Sequence, residues 1–504
     1  MVTFGKHTAL NPNLEGFFSQ FSKHIAGQHQ TIKTPYHKSV RIIYADWAAT
    51  GRAYVPIEER INKDVLPFMA NPHSHANSTA EAMTAALKKG IQIIKQHVGA
   101  NESDVLITAG SGMTGVINEF QRMLGFKIHE TFKSQISLNI EDRPVVFITH
   151  MEHHSNQVSW LETLAEVRIV PPGNDGKVSI ENFSNEISKF SDRKRKIAAI
   201  TACSNVTGIK TPYYEIAELI HRENGFCFVD FTCAAPYLDI DMHPPTSNQY
   251  LDAVCFSPHK FLGGQGAPGI LVFNNKLYNN LIPDEPGGGT VTWTNPWGEH
   301  SYSHTIETRE SGGTPPLLQI IKTAMCVKLK NEMGVSNIIQ REKQQLDILW
   351  KVLTKIPNLH ILAANENNRL GLISFYIEGL NYNLAVRLLN DRFGIQARGG
   401  CSCAGTYGHF LLDVTRESSL SITSKIDAGD FSDKPGWVRL SIHPTQPDAD
   451  ITYIASAVEQ LALQYRDWIL DYNFDPKSGA VQHKFVGTEE CSVCVADELF
   501  KEFI

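Results

Sequence analysis

Between about residues 85 and 275, short apolar runs alternate with amphipathic stretches. Strands of a parallel sheet are short and apolar, and amphipathic helices connect them, so this alternation predicts βαβ units. Six candidate strands each end at a polar or glycine-rich segment: Val105–Thr108, Val145–Thr149, Lys196–Thr201, Phe226–Asp230, Ala253–Ser257 and Ile270–Phe273. Ligands of open α/β sheets bind beyond the carboxyl ends of strands, so we expect the chemistry in the segments that follow.

The pattern changes after residue 283. Residues 283–298 lack periodicity and contain three consecutive glycines, which predicts a long functional loop. The loop is followed by a predicted helix at about Pro316–Met333. After Asn358, strands at Leu372–Ile377 and Val438–Ile442 and helices at Leu384–Arg392 and Ile451–Leu470 predict a smaller α/β domain. We therefore expect an N-terminal segment over residues 1–45, a large domain over 46–320, a small domain over 321–475 and a tail over 476–504.

Length and charge narrow the class of protein. A chain of 504 residues is long enough for two or three domains, which favours an enzyme over a small binding module. The net charge of -7, without a basic run, argues against a nucleic-acid partner. No stretch approaches the roughly 20 apolar residues of a membrane helix, and residues 1–14 lack the apolar core of a secretory signal. Nine cysteines without disulfide-type spacing indicate a reducing compartment, so a cytoplasmic location is expected.

The most specific local motif is Ser257-Pro258-His259-Lys260-Phe261, between a candidate strand and a glycine-rich turn. A lysine there can form an imine with an aldehyde cofactor, while Ser257 and His259 can donate to a phosphate. Taken alone, the motif is equally compatible with a solvated loop lysine.

Asp230 ends the strand that precedes this motif by about thirty residues. A carboxylate there can keep a pyridine nitrogen protonated, so that the ring accepts electrons from a substrate carbanion. A strand-terminal Asp can also be a helix cap. Together with Lys260 at this distance, Asp230 favours pyridoxal 5′-phosphate (PLP) as the cofactor.

A glycine-rich turn follows Val105–Thr108 and should open a helix. Backbone N–H groups at Gly112 and Met113, with the Ser111 hydroxyl, would hold a phosphate. A Rossmann nucleotide site is the rival interpretation, but no ribose-binding acid lies clearly on a following strand.

Two further polar positions follow strand ends. His153 is placed to stack on a planar ring and to shuttle protons. The alternative is a metal-binding or surface pair with His154, but two adjacent histidines without further ligands are weak evidence for zinc, and we predict no metal site. Asn205 can donate to a ring oxygen or belong to a plain turn.

In order and approximate spacing, these segments resemble the class V aminotransferase family, and most closely its group II cysteine desulfurases and selenocysteine lyases. The resemblance covers roughly Tyr44 to Asp471. It begins at Tyr44-Ala45-Asp46-Trp47-Ala48-Ala49, similar to the family's Tyr-Leu-Asp-x-Ala-Ala, and includes Glu-His-His at 152–154 and Ser-x-His-Lys at 257–260. It implies the α/β aminotransferase-like fold of PLP-dependent transferases (fold type I), with a large, mainly parallel sheet of the seven-stranded type and a smaller α/β domain.

The resemblance implies a role for each cofactor-site residue. Lys260 would carry PLP, His153 would stack on it and Asp230 would pair with its nitrogen. Asn205 would assist in binding the cofactor, and Ser257 and His259 would bind its phosphate. Cys233 stands near the cofactor oxygen, where group II desulfurases usually have a glutamine.

The resemblance also implies a homodimer in which each subunit completes the other's site. The matching segments here are Gly287–Thr290 and Glu310–Pro315, where Thr314 would reach the neighbour's phosphate.

The substrate depends on the predicted small domain. Trp437–Ser441 is similar to the family's Arg-x-Ser strand, whose guanidinium, Arg439 here, binds the substrate carboxylate. A surface salt bridge is the alternative role of Arg439.

Residues 398–404, Arg-Gly-Gly-Cys-Ser-Cys-Ala, are similar to the desulfurase segment Arg-x-Gly-x-x-Cys-Ala, so that Cys403 falls on the nucleophile and Arg398 on the arginine. Cys401 and Cys403 could instead be a regulatory redox pair or ordinary loop thiols.

These matches imply that L-cysteine or L-selenocysteine is the substrate, with L-alanine as product, a persulfide on Cys403 and a sulfur-acceptor protein as a further partner. Lys260 would be the base that removes the α-proton of the substrate, and His153 could supply a proton. Another class V enzyme, an aminotransferase or a carbon–carbon lyase in which Cys403 is incidental, is the alternative. A colourless nucleotide-binding or interaction protein is a third hypothesis.

Several departures from the family pattern bear on this prediction. Gly-Ser-Gly-Met replaces the Arg-Gly-Thr-Thr phosphate turn, and the segment between Cys403 and Arg439 is longer, so we expect access to the nucleophile to differ. The tail adds Cys491 and Cys494, with His483 nearby, which could relay sulfur, bind a metal, form a redox pair or simply belong to a dispensable or packed tail.

Overall fold

The structure is a computed structural model that describes residues 10–72, 76–110, 112–246, 248–485 and 498–501. Contacts divide the chain into two compact units, the first built mainly from residues 49–339 and the second from residues 12–23, 27–48 and 340 onward. The first unit extends past residue 320, because helix Leu317–Met333 packs against helix Ser78–His97 at Gly90, where a Cβ would lie 3.4 Å from Ile320 Cγ2. The domain bounds taken from the sequence stay a prediction.

Seven strands form one sheet in the first unit. Numbered in chain order, they are Asp104–Ala109 (β1), Val145–Thr149 (β2), Glu166–Val170 (β3), Lys196–Thr201 (β4), Phe226–Asp230 (β5), Ala253–Phe256 (β6) and Gly269–Asn274 (β7). Their order is β1-β7-β6-β5-β4-β2-β3. The neighbouring pairs β6-β5, β5-β4, β4-β2 and β2-β3 are parallel, whereas β7 is antiparallel to both β1 and β6. The expected α/β fold with a mainly parallel seven-stranded sheet is therefore confirmed.

Burial explains which strands could be identified. β2 and β4 are buried at every position, as the near-continuous apolar runs predict. β3 lies at the sheet edge, is mostly half-exposed and carries Glu166 and Arg168. Its composition is therefore close to that of a surface segment, and sequence analysis missed it.

Helices cover the sheet of the first unit. Besides Ser78–His97 and Leu317–Met333, the helices of this unit are Val55–Arg60, Gly112–Met123, Glu130–Lys133, His154–Leu161, Ile180–Ser188, Tyr213–Arg222 and Ile306–Arg309. The Gly112–Met123 helix begins at the glycine-rich turn, as predicted. Part of the core is aromatic, with the rings of Phe120 and Phe228 centred 5.1 Å apart. Among the described residues, none of the helices is both long and apolar enough to cross a membrane.

A β-hairpin occupies part of the region that the sequence predicts as a loop. Its strands are Val291–Thr294 (β8) and His300–Tyr302 (β9), paired antiparallel. Asn295 Oδ1 accepts hydrogen bonds from the N–H groups of Trp297 and Glu299 in the connecting turn. The expectation of an irregular loop over 283–298 was wrong for its second half, because the Val-Thr-Trp-Thr run has the β-branched and aromatic residues that favour strands.

The second unit holds a four-stranded antiparallel sheet. Its strands are Leu359–Ile361 (β10), Leu372–Ile377 (β11), Arg398–Gly400 (β12) and Trp437–Ser441 (β13), in the order β10-β11-β13-β12. Helices Tyr382–Phe393 and Asp448–Trp468 contribute buried side chains to the same core. The other helices and paired strands outside these sheets are Leu14–Ser22, Val335–Leu353, Gly405–Leu411, Arg416–Asp427, Thr31–Ile32 with Val40–Arg41, Ile43–Tyr44 with Ile395–Gln396, and Tyr472–Asp475 with Ala480–His483.

Glu119, on helix Gly112–Met123, should make the stability of the first unit depend on pH. Burial raises the pKa of its carboxyl from 4.5 to about 8, helped by the negative charges of Glu285 and Asp284. The folded state therefore holds this proton more tightly than the unfolded state, and stability falls as the pH rises through that interval. We expect Glu119→Gln to be more stable than wild type by about 2 kcal/mol near pH 8, and equally stable below about pH 4, in urea unfolding. Glu130→Gln, at an exposed position, is the control; a pH-independent effect of Glu119→Gln would contradict the assignment.

Candidate active site

The cofactor-site residues of the sequence analysis lie at one edge of the large sheet. Strands β1, β2, β4, β5 and β6 run in the same direction, so their carboxyl ends meet there. The segments after these strands carry the predicted residues: Gly112, Met113, His153, Asn205, Asp230, Cys233, Ser257, His259 and Lys260. Ser111 lies outside the described residues.

Asp230 and Lys260 form the electrostatic centre of this edge. Asp230 is buried at the end of β5, where its Oδ1 accepts the N–H of Thr232 at 2.8 Å. Burial raises the pKa of Asp230, and the charge of Lys260 opposes that rise. Lys260 ends a 3-10 turn, Pro258–Lys260, directly after β6. The two groups are therefore within electrostatic reach of each other.

The lysine turn is held by close backbone approaches that only glycine permits. A Cβ at Gly51 would lie 2.1 Å from the carbonyl oxygen of Phe261, and one at Gly264 would lie 1.9 Å from that of Pro258. The N–H of Gly51 donates to the carbonyl of His259 at 2.9 Å. Gly51 and Gly264 thus position the turn of Lys260.

The glycine-rich turn and the lysine turn meet at Ser257. The N–H of Met113 donates to Ser257 Oγ at 2.8 Å. Gly112 has a φ of +61°, and a Cβ there would lie 2.8 Å from the same oxygen, so both conformation and contact require glycine. His259 Nδ1 lies 3.3 Å from Thr50 Oγ1, and burial lowers the pKa of this imidazole to about 4. A helix N-terminus, a hydroxyl and a neutral imidazole are thus brought together.

His153 caps the helix His154–Leu161. Its Nδ1 accepts the N–H of Ser155 at 3.1 Å, which assigns the ring proton of the neutral form to Nε2. On the neighbouring strand end, Ser204 Oγ accepts the N–H groups of Val206 and Thr207, which shapes the turn that carries the buried Asn205. Cys233 donates its thiol to the carbonyl of Ser204 at 3.8 Å. The structure therefore brings Cys233 to the Asn205 turn.

Glu152 was quoted in the Glu-His-His motif, but its role was missed. It is fully buried, and its carboxylate accepts hydrogen bonds from the Thr149 hydroxyl at 2.6 Å, the Thr201 N–H at 3.0 Å and the Asn156 amide at 2.8 Å. Burial raises the pKa of Glu152 to about 7, and these donors oppose the rise. Glu152 therefore ties the ends of β2 and β4 to the helix that His153 caps. An acidic residue directly after an apolar strand was the available signal.

The two segments that the resemblance assigned to a partner's site lie together in the first unit. The N–H of Gly289 donates to the carbonyl of Gly312 at 3.2 Å, and a Cβ at Gly287 would lie 2.2 Å from that oxygen. Thr314 follows at an exposed position.

In the second unit, one carboxylate joins the two predicted substrate-site arginines. Arg398 and Arg439 are cross-strand partners on β12 and β13. Asp46 accepts from Arg439 Nη2 at 2.7 Å and from Arg398 Nε at 3.2 Å. Like charges directly opposite each other are unfavourable, so the Asp46 carboxylate stabilises this pair. Asp46 belongs to the N-terminal motif, but this role could not be predicted, because its partners Arg398 and Arg439 are 352 and 393 positions away.

Cys403 follows β12 in a tight turn. The N–H of Ala404 donates to the carbonyl of Cys401 at 3.0 Å, and Ser402 and Cys403 have φ values of +52° and +56°. Positive φ at both central positions is costly for non-glycine residues and is typical of functional sites. Cys403 is exposed and Cys401 is half-buried.

Two helices account for the long segment between Cys403 and Arg439. Gly405–Leu411 and Arg416–Asp427 were not predicted, and His409 Nε2 links them by a 2.8 Å contact with Ser419 Oγ. The predicted pair Cys491 and Cys494 lies outside the described residues.

Comparison with known proteins identifies the family of the chain. The family model for class-V aminotransferases matches residues 43–454. A protein named "Probable cysteine desulfurase" from Halalkalibacterium halodurans is 26% identical over 384 residues, which is 75% of this chain and 88% of that protein. A protein of the same name from Staphylococcus epidermidis is 25% identical over 369 residues, 72% of this chain and 83% of its own length.

Solved structures share the fold. The apo cysteine desulfurase from Thermococcus onnurineus has a TM-score of 0.69 at 18% identity, covering 88% of this chain and 98% of its own. A cysteine desulfurase from Escherichia coli in the S-sulfonic acid form has a TM-score of 0.68 at 20% identity, covering 89% and 98%. Because the family model spans most of its length, this chain belongs to the class V aminotransferase family.

The Glu152 network predicts a loss of stability on substitution. Glu152→Gln replaces one acceptor oxygen by an NH₂ group in a site where the neighbours are donors. We expect this substitution to lower the free energy of unfolding by about 2 kcal/mol in urea. Glu162→Gln, an exposed position after the same helix, is the matched control. Equal stability of the two variants would show that Glu152 does not hold the strand ends.

The Asp46 contacts predict a second stability effect. The Arg439 side chain is only 3% exposed, so removing the Asp46 charge leaves a buried guanidinium uncompensated. We expect Asp46→Asn to cost about 3 kcal/mol in urea unfolding. Asp347→Asn, which removes an exposed ion pair with Lys343 in the same unit, should cost less than about 1 kcal/mol. A small loss of stability in Asp46→Asn would mean that solvent already screens the ion pair between Asp46 and Arg439.

Proposed function

We propose that this protein is a PLP-dependent cysteine desulfurase, which converts L-cysteine to L-alanine and retains the sulfur as a persulfide on Cys403. The observation that carries the proposal is an exposed thiol in a positive-φ turn directly after the strand of Arg398. Family membership and the cysteine desulfurases among the relatives support the same reaction. L-selenocysteine is expected to be a second substrate, because its reacting atom occupies the same position.

The chemistry of the strand-edge residues fits PLP. Asp230 is a buried carboxylate close to the charge of Lys260, and such a carboxylate is stabilised by a protonated ring nitrogen. The Met113 N–H already donates to Ser257 Oγ, so the hydroxyl can donate its own hydrogen to a phosphate. The backbone of Gly112 and the His259 imidazole adjoin the same position. The donor set thus suits an aldehyde, a pyridine nitrogen and a phosphate in one ligand.

PLP bound through Lys260 would supply an electron-withdrawing ring that stabilises negative charge at the substrate Cα. Asp230 would hold the proton of the ring nitrogen, and Asn205 and Cys233 would adjoin the ring oxygen. His153 would stack on the ring face. Ser257, His259 and the amides at Gly112 and Met113, with Ser111, would hold the phosphate.

The arginine pair would bind the substrate carboxylate. Two guanidinium groups around the single carboxylate of Asp46 leave one net positive charge in this cluster of three side chains. Arg439 presents a planar fork that suits a carboxylate. Asp46 holds this fork in place before the substrate arrives, which reduces the ordering cost of binding.

The remaining steps are proton transfers and one sulfur transfer. Lys260 Nζ would take the proton from the substrate Cα. The Cys403 thiolate would then attack the substrate sulfur; the S–S bond forms as the C–S bond breaks, and the bonding electrons of that C–S bond leave with the carbon. His153, whose Nε2 carries the ring proton in the neutral form, would supply a proton to the substrate Cβ, and Lys260 Nζ would return its proton to Cα, which completes alanine.

The assembly and surroundings are part of the proposal. We infer a homodimer in which Thr314 and the joined segments around Gly289 and Gly312 complete the partner's phosphate site, and a sulfur-acceptor protein that removes the persulfide. A cytoplasmic location is proposed because none of the described cysteines forms a disulfide: Cys203, Cys227, Cys233, Cys255, Cys326, Cys401 and Cys403.

Incubation with L-cysteine and a reductant tests the reaction. We expect wild type to be yellow and to form alanine and sulfide in equal amounts. Lys260→Ala should be colourless and lower alanine formation by about 10³-fold or more, because it loses the base. Cys403→Ser should remain yellow and lose both products. Lys276→Ala, at an exposed lysine, is the control and should match wild type.

Other outcomes separate the alternatives. Alanine and sulfide formed equally by wild type and Cys403→Ser would contradict the nucleophile. Amino-group exchange with a keto acid, without sulfide, would indicate an aminotransferase. A colourless wild-type protein after incubation with PLP would contradict the cofactor assignment.

A further inference from the structure

The loop that carries Cys403 holds a second thiol two residues away. The turn closes by the hydrogen bond from the Ala404 N–H to the Cys401 carbonyl, with Ser402 and Cys403 at its central positions. A chain that turns this tightly brings residues i and i+2 to a Cα separation of about 5–6 Å, inside the roughly 4.4–6.8 Å range of disulfides. The backbone therefore places Cys401 and Cys403 at a distance that one S–S bond can span.

The strand before the turn is fixed by an aromatic ring. Tyr382 packs against the glycines of β12 and its neighbour, since a Cβ at Gly436 would lie 2.5 Å from Tyr382 Cε1 and one at Gly399 would lie 3.2 Å from its Cδ2. Burial raises the pKa of the Tyr382 hydroxyl, and the charge of a Cys401 thiolate adds to the rise, so this thiol is close to the Tyr382 hydroxyl. Cys401 is thus held at the base of the turn, while Cys403 is exposed at its tip.

The other described cysteines cannot take this role. Cys203, Cys227, Cys233, Cys255 and Cys326 are buried, and burial raises the pKa of Cys227, Cys255 and Cys326. A neutral buried thiol is a poor nucleophile. Among the described residues, Cys401 is therefore the one thiol besides Cys403 that solvent reaches.

We propose that Cys401 is a resolving thiol that releases sulfide from the persulfide of Cys403. The inference rests on the proposed desulfurase function and extends it, because it makes the loop itself able to discharge the sulfur. The Cys401 thiolate attacks Cys403 Sγ; the Cys401–Cys403 bond forms, the bond from Cys403 Sγ to the outer sulfur breaks, and hydrosulfide leaves with the bonding electrons. The two cysteines are oxidised to a disulfide, and the outer sulfur is reduced to sulfide.

A dithiol reductant then restores the pair. The disulfide closes a loop of only three residues, and strained, exposed disulfides are readily reduced. Each cycle therefore consumes one dithiol and delivers free sulfide rather than a protein-bound sulfur. In oxidising conditions the same two thiols are expected to form the disulfide, so Cys403 is lost as a nucleophile until a dithiol is supplied.

The test uses the full-length, PLP-loaded protein without reductant. Because Cys491 and Cys494 lie outside the described residues, the parent carries Cys491→Ser and Cys494→Ser, and Cys401→Ser is compared in that background. After no more than one equivalent of L-cysteine per subunit, so that no thiol substrate remains to reduce the loop, the parent should release about one equivalent of sulfide per alanine formed and yield a peptide with Cys401 linked to Cys403. Cys401→Ser should release at least about ten-fold less sulfide per alanine and retain one added sulfur atom on Cys403 by mass spectrometry.

A second measurement separates this proposal from the desulfurase proposal. The reduced parent is treated with inorganic polysulfide, desalted, and followed for newly released sulfide, which requires no turnover of L-cysteine. Sulfide release with a Cys401–Cys403 linkage, absent in Cys401→Ser, supports the resolving thiol. A persulfide that persists equally in both proteins in this measurement overturns it, whether or not L-cysteine gives alanine. Failure to form alanine in the first measurement counts against the desulfurase proposal alone.

Discussion

The placement of the buried Asp230 beside the Lys260 turn is the constraint on which the cofactor site depends. A carboxylate buried at the end of β5 is costly unless hydrogen bonds or charges compensate it; here the Thr232 N–H donates to it, and the charge of Lys260 adds a smaller effect. The parallel order of β5 and β6 makes this possible, because adjacent strands that run in the same direction end side by side. The glycines around the lysine turn and the Met113 hydrogen bond to Ser257 hold the geometry around the pair.

A similar charge balance organises the second unit. Two arginines on adjacent strands would repel each other, and Asp46 offsets the repulsion while leaving one net positive charge. The same strand, β12, leads directly into the turn of Cys401 and Cys403. Only the four residues 399–402 separate Arg398 from Cys403, which explains how one short segment can carry both a proposed carboxylate-binding group and the proposed sulfur-binding group.

The elements that sequence analysis identified are those whose signal is local. β2, β4 and β5 are apolar runs that end at polar residues, and their bounds were predicted to the residue. β3 was missed because an edge strand with Glu166 and Arg168 does not differ in pattern from a surface segment. Asp46 and Glu152 were quoted in motifs without roles, since their partners become neighbours only through folding. The hairpin β8–β9 was hidden by the glycines and prolines that surround it.

The most direct test of the account is to fix the cofactor chemically and find where it sits. Protein loaded with PLP is reduced with borohydride, digested and analysed by mass spectrometry for a pyridoxyl-modified lysine. The account predicts a single modified peptide containing Lys260, and none when Asp230→Ala abolishes PLP binding. Modification of a different lysine, or no covalent modification of a protein that is nevertheless yellow, would contradict the assignment of this strand edge as the cofactor site.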